Sequence, residues 1–349
     1  MKIYYFCKII NILKLTAMEE QYVIGIDLGG TNTKIAIVDR NGNNLDDCEI
    51  STSEKSKGVK YKDWEDYVNT LGNAINLLIK KNISKVKEIK GIGMGVPFGN
   101  MNDGTVSNAA NIYWTKGVVV PLAEEITKIT GLPCKLTNDA NTAAMGEMTY
   151  GEAGGLKDFI EITLGTGVGS GIVSNGQLVV GHDGFAGELG HVRAMRVNGR
   201  TCGCGRTGCL ETYTSATGVA QTARELLEIQ PERKSLLREI KHLHITSKDV
   251  YDAAKKGDEL AIEVFDFTGR MLGEAFCDFI AFSSPEAIIL FGGLAESRDF
   301  LIEPLKKAIN DNVLFIYKDN VKIILSKLNN NSQAAVLGAS ALAWEYFGK

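Results

Sequence analysis

The sequence lacks an excess of charge of either sign: 38 lysines and arginines face 42 aspartates and glutamates, a formal net charge of −4 over 349 residues. That balance gives no electrostatic footing for a nucleic-acid surface, and no nucleic-acid partner is expected. It also lacks an unbroken apolar run. The most apolar stretch, Met1 to Ala17, is interrupted by Lys8, Asn11 and Lys14. It is too short and too interrupted to span a bilayer, and it is a poor match to the continuous apolar centre of a signal peptide. We read residues 1–21 as an N-terminal tail with Met18 as an alternative start, and expect no membrane partner and a cytoplasmic chain. Low-complexity segments, long linkers and a helix-turn-helix extension are also missing.

What is present is an ordinary globular composition, 44% hydrophobic and 23% charged, in a chain long enough for two α/β lobes. Glycine is abundant at 38 residues and clusters in short loops, which points to backbone lying close to a ligand. Of seven cysteines, Cys7, Cys48, Cys134 and Cys277 are scattered and read as incidental thiols, whereas Cys202, Cys204 and Cys209 are tightly grouped.

Apolar runs at Tyr22–Leu28 and Thr33–Val38 predict strands flanking the turn Gly29-Gly30-Thr31, and Asn41-Gly42 leads to a third strand. Trp64, Tyr67, Val68, Leu71, Ile75 and Leu78 recur at helical spacing. A strand over Ile89–Val96, a short helix over Pro121–Thr130 with proline at its first position, and a helix after Asn138-Asp139 follow. The second half repeats the opening theme. Phe159–Leu164 and Gly171–Ser174 read as strands around Gly165-Thr166-Gly167, and Asn175-Gly176 as a hairpin turn. Downstream come a helix over Asp258–Phe282, a strand over Glu286–Phe291 ending in Gly292-Gly293, and a closing helix over Ser332–Phe347. The expected organisation is a small α/β lobe over residues 22–137 joined by the C-terminal helix 332–349, and a large α/β lobe over 138–331.

The loop from Asp27 to Lys34 contains Gly29, Gly30, Thr31 and Asn32 at a strand end. Its glycines would let main-chain N–H groups approach phosphate, Thr31 adds a hydroxyl, Lys34 offers charge, and Asp27 is a candidate Mg²⁺ ligand through water. Gly165-Thr166-Gly167-Val168-Gly169-Ser170-Gly171 superficially resembles a dinucleotide fingerprint, but that motif must open a helix. Here a strand and hairpin follow, so the loop is read as a second phosphate-gripping turn, with Gly292 and Gly293 beside an adenosine. Cys202, Cys204 and Cys209, with His191 upstream, make a Cys₃His set for a closed, structural Zn²⁺ site. Glu188 and Glu211 flank that cluster and read as hydroxyl acceptors for a polyol on a metal-pinned loop.

From about Tyr22 onward the sequence resembles the ROK family (repressors, open reading frames and kinases), and within it the glucokinase-like members. The resemblance rests on Asp27-Leu-Gly-Gly-Thr31, Gly95-Val-Pro97, Asn138-Asp139-Ala-Asn141, Gly165-Thr166-Gly167, Gly187-Glu-Leu-Gly-His191 and Cys202-x-Cys204-Gly-x-x-Gly-Cys209-x-Glu211. It implies an actin-like (ribonuclease-H-like), duplicated, two-lobed α/β fold with an interlobe cleft. It implies Asp139 as catalytic base, with Asn111, Asn138, Glu188, His191 and Glu211 binding sugar hydroxyls and His191 serving both metal and sugar. Helix capping is the competing role for Asp139. Two departures lie near the expected sugar site: Pro97-Phe98-Gly99, where the family often has glycine directly after proline, and Ala110-Asn111-Ile-Tyr113 in place of a common Pro-Asn-Leu.

The activity implied is phosphorylation of a hexose at the 6-hydroxyl, glucose foremost, with ATP and Mg²⁺ as cofactors and polyphosphate as an alternative donor. N-acetylmannosamine, N-acetylglucosamine or fructose are alternative substrates, and a non-catalytic sugar sensor or repressor is an alternative from another class. A repressor would need a DNA-binding segment, which the residues before Tyr22 are too few to hold. A chaperone or filament protein on the same fold is opposed by the cysteine loop. A homodimer or dimer of dimers is implied by the family.

Overall fold

The structure is a computed structural model that describes residues 21–53, 60–109, 111–328 and 333–349. The tail over 1–20 with its alternative start, Cys7, Ala110 and the expected first helical residue Ser332 lie outside the described residues. The chain divides into two compact units: Met1–Gly154 with Val180–Phe185 and Asn331–Lys349, and Gly155–Val179 with Ala186–Asn330.

In the first unit, strands β1 (Gln21–Leu28), β2 (Asn32–Asp39) and β3 (Asn44–Ser51) form an antiparallel meander. Helix α1 (Trp64–Asn82) follows. Asp63 caps it by accepting from Asp66 N at 3.0 Å, acids lie in its first turn and lysines in its last, which suits the helix dipole. Its predicted apolar stripe is the buried face, with Tyr67, Val68, Leu71, Ile75 and Leu78 all in the core. Strand β4 (Glu88–Gly95) returns parallel to β1. A small sheet of β5 (Gly99–Asn100), β6 (Thr105–Ser107) and β7 (Val119–Val120) intervenes. Helix α2 (Leu122–Thr130), strand β8 (Cys134–Thr137) and helix α3 (Asp139–Tyr150) then complete the run. Pro121 is the residue before α2 rather than its first turn.

The second unit repeats the pattern. β9 (Phe159–Leu164), β10 (Val168–Ser174) and β11 (Gln177–Leu178) form the meander. β10 begins three residues earlier than the sequence suggests, because Val168 already pairs with Leu164 and the glycines stay in the ladder. Asn175 and Gly176, at φ 52° and 74°, supply the left-handed pair that a tight two-residue hairpin needs. Helices α4 (Glu211–Thr214), α5 (Ala216–Ile229), α6 (Ser247–Lys255) and α7 (Glu259–Ser283) precede the parallel strand β12 (Ala287–Phe291). Asp258 caps α7 through Leu260 N and Ala261 N, so that helix starts one residue later than the spacing implies. Helix α8 (Arg298–Asn312) and parallel strand β13 (Lys322–Leu325) follow, and α9 (Ala334–Phe347) closes the chain in the first unit.

Strand order is β3-β2-β1-β4-β8 in one unit and β11-β10-β9-β12-β13 in the other. Three antiparallel strands followed by two parallel ones, twice, is the duplicated actin-like α/β arrangement that the resemblance implies. Each unit owns a core: one is built on Ile24, Ile26, Ile35, Leu71, Ile75, Ile92 and Leu136, the other on Ile160, Ile162, Val264, Phe265, Phe276, Ile288 and Leu290.

The division falls after Gly154, not after Thr137 as the sequence suggests. Helix α3 stays with the first unit because it packs on α9, where Gly338 has no room for a Cβ against the Thr142 carbonyl. Val180–Phe185 also belongs there, since Asn100 Nδ2 donates to Asp183 O at 2.9 Å and Asn102 Nδ2 to His182 O at 2.9 Å.

Candidate functional site

Each unit brings a set of the predicted residues together. In the first, β8 delivers Asn138 and Asp139 to the start of α3. Asn138 Oδ1 accepts from Asn141 N at 2.7 Å, so Asn138 is the helix cap and Asp139 is not. This corrects the capping alternative for Asp139 and explains Asn138, a cap legible in its position three residues before Asn141. Asp139 occupies the first helical position with an exposed side chain, its Oδ1 accepting from Ala140 N at 2.9 Å. A carboxylate there is fixed by the backbone and stabilised by the helix N-terminus, yet open to a ligand.

Asp27 lies at the end of β1, paired across the ladder with Lys34 and with Gly95. Burial pushes its carboxyl up to about 6, the charge of Asp139 adds to that, and Lys34 opposes it. Two acids that repel, one of them desolvated, are a place where a hydrated divalent cation would relieve both costs. The donor set therefore fits Mg²⁺ held through Asp27. Thr31 and Lys34 are exposed and Asn32 half-buried.

The loop Gly29–Asn32 is a tight turn closed by Gly29 N donating to Asn32 O at 3.0 Å and by Thr52 N donating to Thr31 O at 2.8 Å. Behind it lies a polar-aromatic support that the sequence reading missed. Buried Thr33 Oγ1 is 2.7 Å from Thr52 Oγ1 and 2.6 Å from the Tyr67 hydroxyl, and Tyr67 stacks on Trp114 at 4.3 Å between ring centres. The only sequence signal was a tyrosine and a tryptophan at apolar positions. Gly30 has a different reason from phosphate approach: a Cβ there would lie 2.7 Å from Asn111 Cβ. The glycine turn and the Asn111 loop are thus one packed feature, and Asn111 is exposed on it.

In the second unit, Gly165 N donates to Gly167 O at 3.0 Å, closing the second turn. Ala216 N donates to Gly165 O at 2.9 Å and Thr217 Oγ1 to Thr166 O at 2.9 Å, so the N-terminus of α5 abuts this loop. The sequence reading missed that helix start, although Ser215, whose Oγ accepts from Gly218 N at 3.1 Å, is an ordinary capping signal. The placement sets the positive end of a helix dipole at the turn. Of the predicted glycines in this unit, Gly292 is required by the chain itself, at φ 102° and with a Cβ 2.5 Å from Leu164 O, whereas a Cβ on Gly167 would meet the end of the Glu211 side chain at 2.6 Å. Gly165 and Gly293 face open space, and neither has a positive φ.

His191, Cys202, Cys204 and Cys209 converge: their ligand atoms all lie within 4.8 Å of one another. The Cys204 and Cys209 sulfurs are 3.7 Å apart and all three thiols are free. Tetrahedral zinc with Zn–S bonds of about 2.3 Å would place sulfurs roughly 3.8 Å apart, so the set fits a closed four-ligand site. His191 turns Nδ1 toward this cluster, 3.7 Å from Cys202 Sγ, and Nε2 the other way, 3.9 Å from Glu188 Oε2. Glu211 bridges cluster and glycine turn: Oε1 lies 3.2 Å from Cys202 Sγ, and Oε2 accepts from Val168 N at 3.2 Å. Ser170 Oγ donates to Gly187 O and accepts from Leu189 N at 3.1 Å, pinning the Glu188–His191 turn to β10.

No helix among the described residues is long and apolar enough to cross a membrane. The sequence matches the profile of the ROK family over residues 23–345. It is 35% identical over 326 residues to a glucokinase of Halalkalibacterium halodurans, covering 93% of this chain and 96% of that one. Among solved structures, a ROK family glucokinase from Streptomyces griseus in complex with glucose and AMPPNP aligns with a TM-score of 0.72 at 29% identity, covering 93% and 99%. A ROK family transcriptional regulator, described as a homolog of the E. coli MLC protein, aligns with a TM-score of 0.80 at 27% identity, covering 93% and 78%. With the family profile matched over nearly its whole length, the chain belongs to the ROK family.

Proposed function

We propose that the chain is an ATP-dependent hexose kinase that phosphorylates the 6-hydroxyl of glucose. The observation that carries this reading is Asp139: an exposed carboxylate locked at the first turn of α3, beside the desolvated Asp27. A structural acid would be paired within the fold, whereas a general base must be rigid and reachable. Asn111, Asn138, Glu188, His191 and Glu211 are assigned to sugar hydroxyls. The turns at Gly29–Asn32 and Gly165–Gly167, with Lys34, Gly292 and Gly293, are assigned to the nucleotide.

Phosphoryl transfer needs little covalent chemistry from protein, so positioning and charge dominate. Asp139 orients the 6-hydroxyl and accepts its proton as the oxygen attacks the γ-phosphate in line. The turn amides and the α5 N-terminus hold phosphate oxygens. Mg²⁺, held through Asp27, would supply charge neutralisation of the phosphates. Zn²⁺ on His191, Cys202, Cys204 and Cys209 would keep Glu188 and Glu211 in place and supply no chemistry. The six described cysteines are free, which fits a reducing cytoplasm.

The likeness to a transcriptional regulator at a TM-score of 0.80 favours a second reading, a sugar sensor without turnover. A coupled ADP-release screen separates the two. Purified protein with ATP and Mg²⁺ is assayed against glucose, mannose, fructose, N-acetylglucosamine and N-acetylmannosamine. Glucose-dependent ADP release is expected; binding of a hexose without ADP release would replace the kinase by the sensor.

A further inference from the structure

Phe98 stands out in the first unit by its backbone. It lies in the left-handed region at φ 58°, where the other described non-glycine residues are Asn108, Asn175, Asn198, Ser284 and Asp319. Those are short polar residues, the types that tolerate this conformation through local hydrogen bonds; a bulky phenylalanine does not. Burial does not compensate, because the side chain is 54% exposed. Position supplies the missing reason. Val96 N donates to Thr137 O at 2.9 Å, Gly99 N donates to Val96 O at 2.8 Å, and a Cβ on Gly99 would lie 2.8 Å from that same Thr137 oxygen. The 96–99 turn is therefore wrapped around the carbonyl immediately before Asn138 and Asp139, and it holds an aromatic ring in solvent there. Strain retained without packing return is the mark of a residue kept for a ligand.

We propose that Phe98 is a specificity-determining residue whose ring packs on the C–H face of the pyranose presented to Asp139. The proposal rests on the sugar-kinase reading and deepens it. In the gluco configuration the substituents at C2 to C5 are all equatorial, and in the β anomer so is the C1 hydroxyl, so each face then presents only axial hydrogens to an aromatic ring. Mannose and galactose each turn one hydroxyl axial and interrupt that surface. An equatorial acetamido group at C2 does not, so Phe98 selects gluco stereochemistry and leaves glucose and N-acetylglucosamine undistinguished.

The test compares wild type with Phe98→Asn, which accepts the same backbone, Phe98→Gly, which relieves the strain, and Phe98→Tyr, which keeps the ring. Readouts are kcat/KM for glucose and mannose, glucose affinity by calorimetry, KM for ATP and the thermal midpoint. Phe98→Asn and Phe98→Gly are expected to raise glucose KM about five- to tenfold, the size of an aromatic contact. They should pull the glucose-to-mannose ratio toward one, leave ATP KM unchanged and melt no lower than wild type. Phe98→Tyr should recover most of the ratio. Unchanged glucose KM and ratio in the Asn and Gly variants overturn the proposal while the kinase reading stands. A lower melting temperature in both also overturns it, by assigning the ring a structural role. A wild type that binds no hexose overturns both readings together.

Discussion

Asp139 and Gly30 make opposite demands on their surroundings. Asp139 must be reachable, and its exposure at the first turn of α3 provides that. Asp139→Asn keeps shape and the Asn138 cap, so steady-state kinetics should give a kcat lower by about 10²–10⁴-fold. Calorimetric glucose affinity and the melting temperature should stay near wild type; turnover within a few-fold of wild type would remove Asp139 as the base. Gly30 must instead be vacant, because a Cβ would press on Asn111 Cβ from 2.7 Å. Gly30→Ala is expected to cost about 1–3 kcal/mol in urea denaturation, as overpacking does. It should also raise sugar KM more than ATP KM, since Asn111 is the group displaced. An ATP KM that rises first would assign the turn to phosphate alone.

At the scale of elements, the cysteine loop and β10 act as one piece. Ser170 ties the Glu188–His191 turn to the strand, Glu211 ties the thiol cluster to Val168 N, and His191 faces both ways. Removing a metal held by this set would leave three thiols and an imidazole without a shared partner, and structural zinc sites contribute directly to folding free energy. Chelation with metal loss confirmed by elemental analysis should therefore increase hydrogen exchange across residues 187–211. Glucose affinity should weaken more than nucleotide affinity. Protection of that segment equal to the loaded protein's would show that the loop stands without metal. These elements were partly legible beforehand: the spacing of Cys202, Cys204 and Cys209 marked residues that the fold brings together with His191, because metal chemistry restricts residue type. The start of α5 beside Gly165 was not, since a short loop gives no periodic signal and its partner lies 51 residues away.

Across the molecule, two separate cores imply two separable unfolding units. Trp64, Trp114 and Trp344 all belong to the first unit, so tryptophan fluorescence reports on it, whereas far-ultraviolet circular dichroism reports on both. Leu71 is fully buried in the first core. Leu71→Ala should cost about 2–5 kcal/mol there, moving the fluorescence transition to lower urea than the dichroism transition. Coincident transitions in that variant would mean that the units unfold as one.

The sequence by itself determined strands β1 to β4, β9, β10 and β12, the amphipathic face of α1, the duplicated turns and the identity of the thiol–histidine set. Each is written in local periodicity or in residue types that few other roles use. Only the tertiary structure decided that Asn138, not Asp139, caps α3, that Gly30 is reserved for Asn111, that α3 belongs with α9, and that Phe98 holds a strained turn. Those facts depend on backbone dihedrals and on atoms brought together from distant positions, and no local pattern encodes where a distant carbonyl or Cβ will lie.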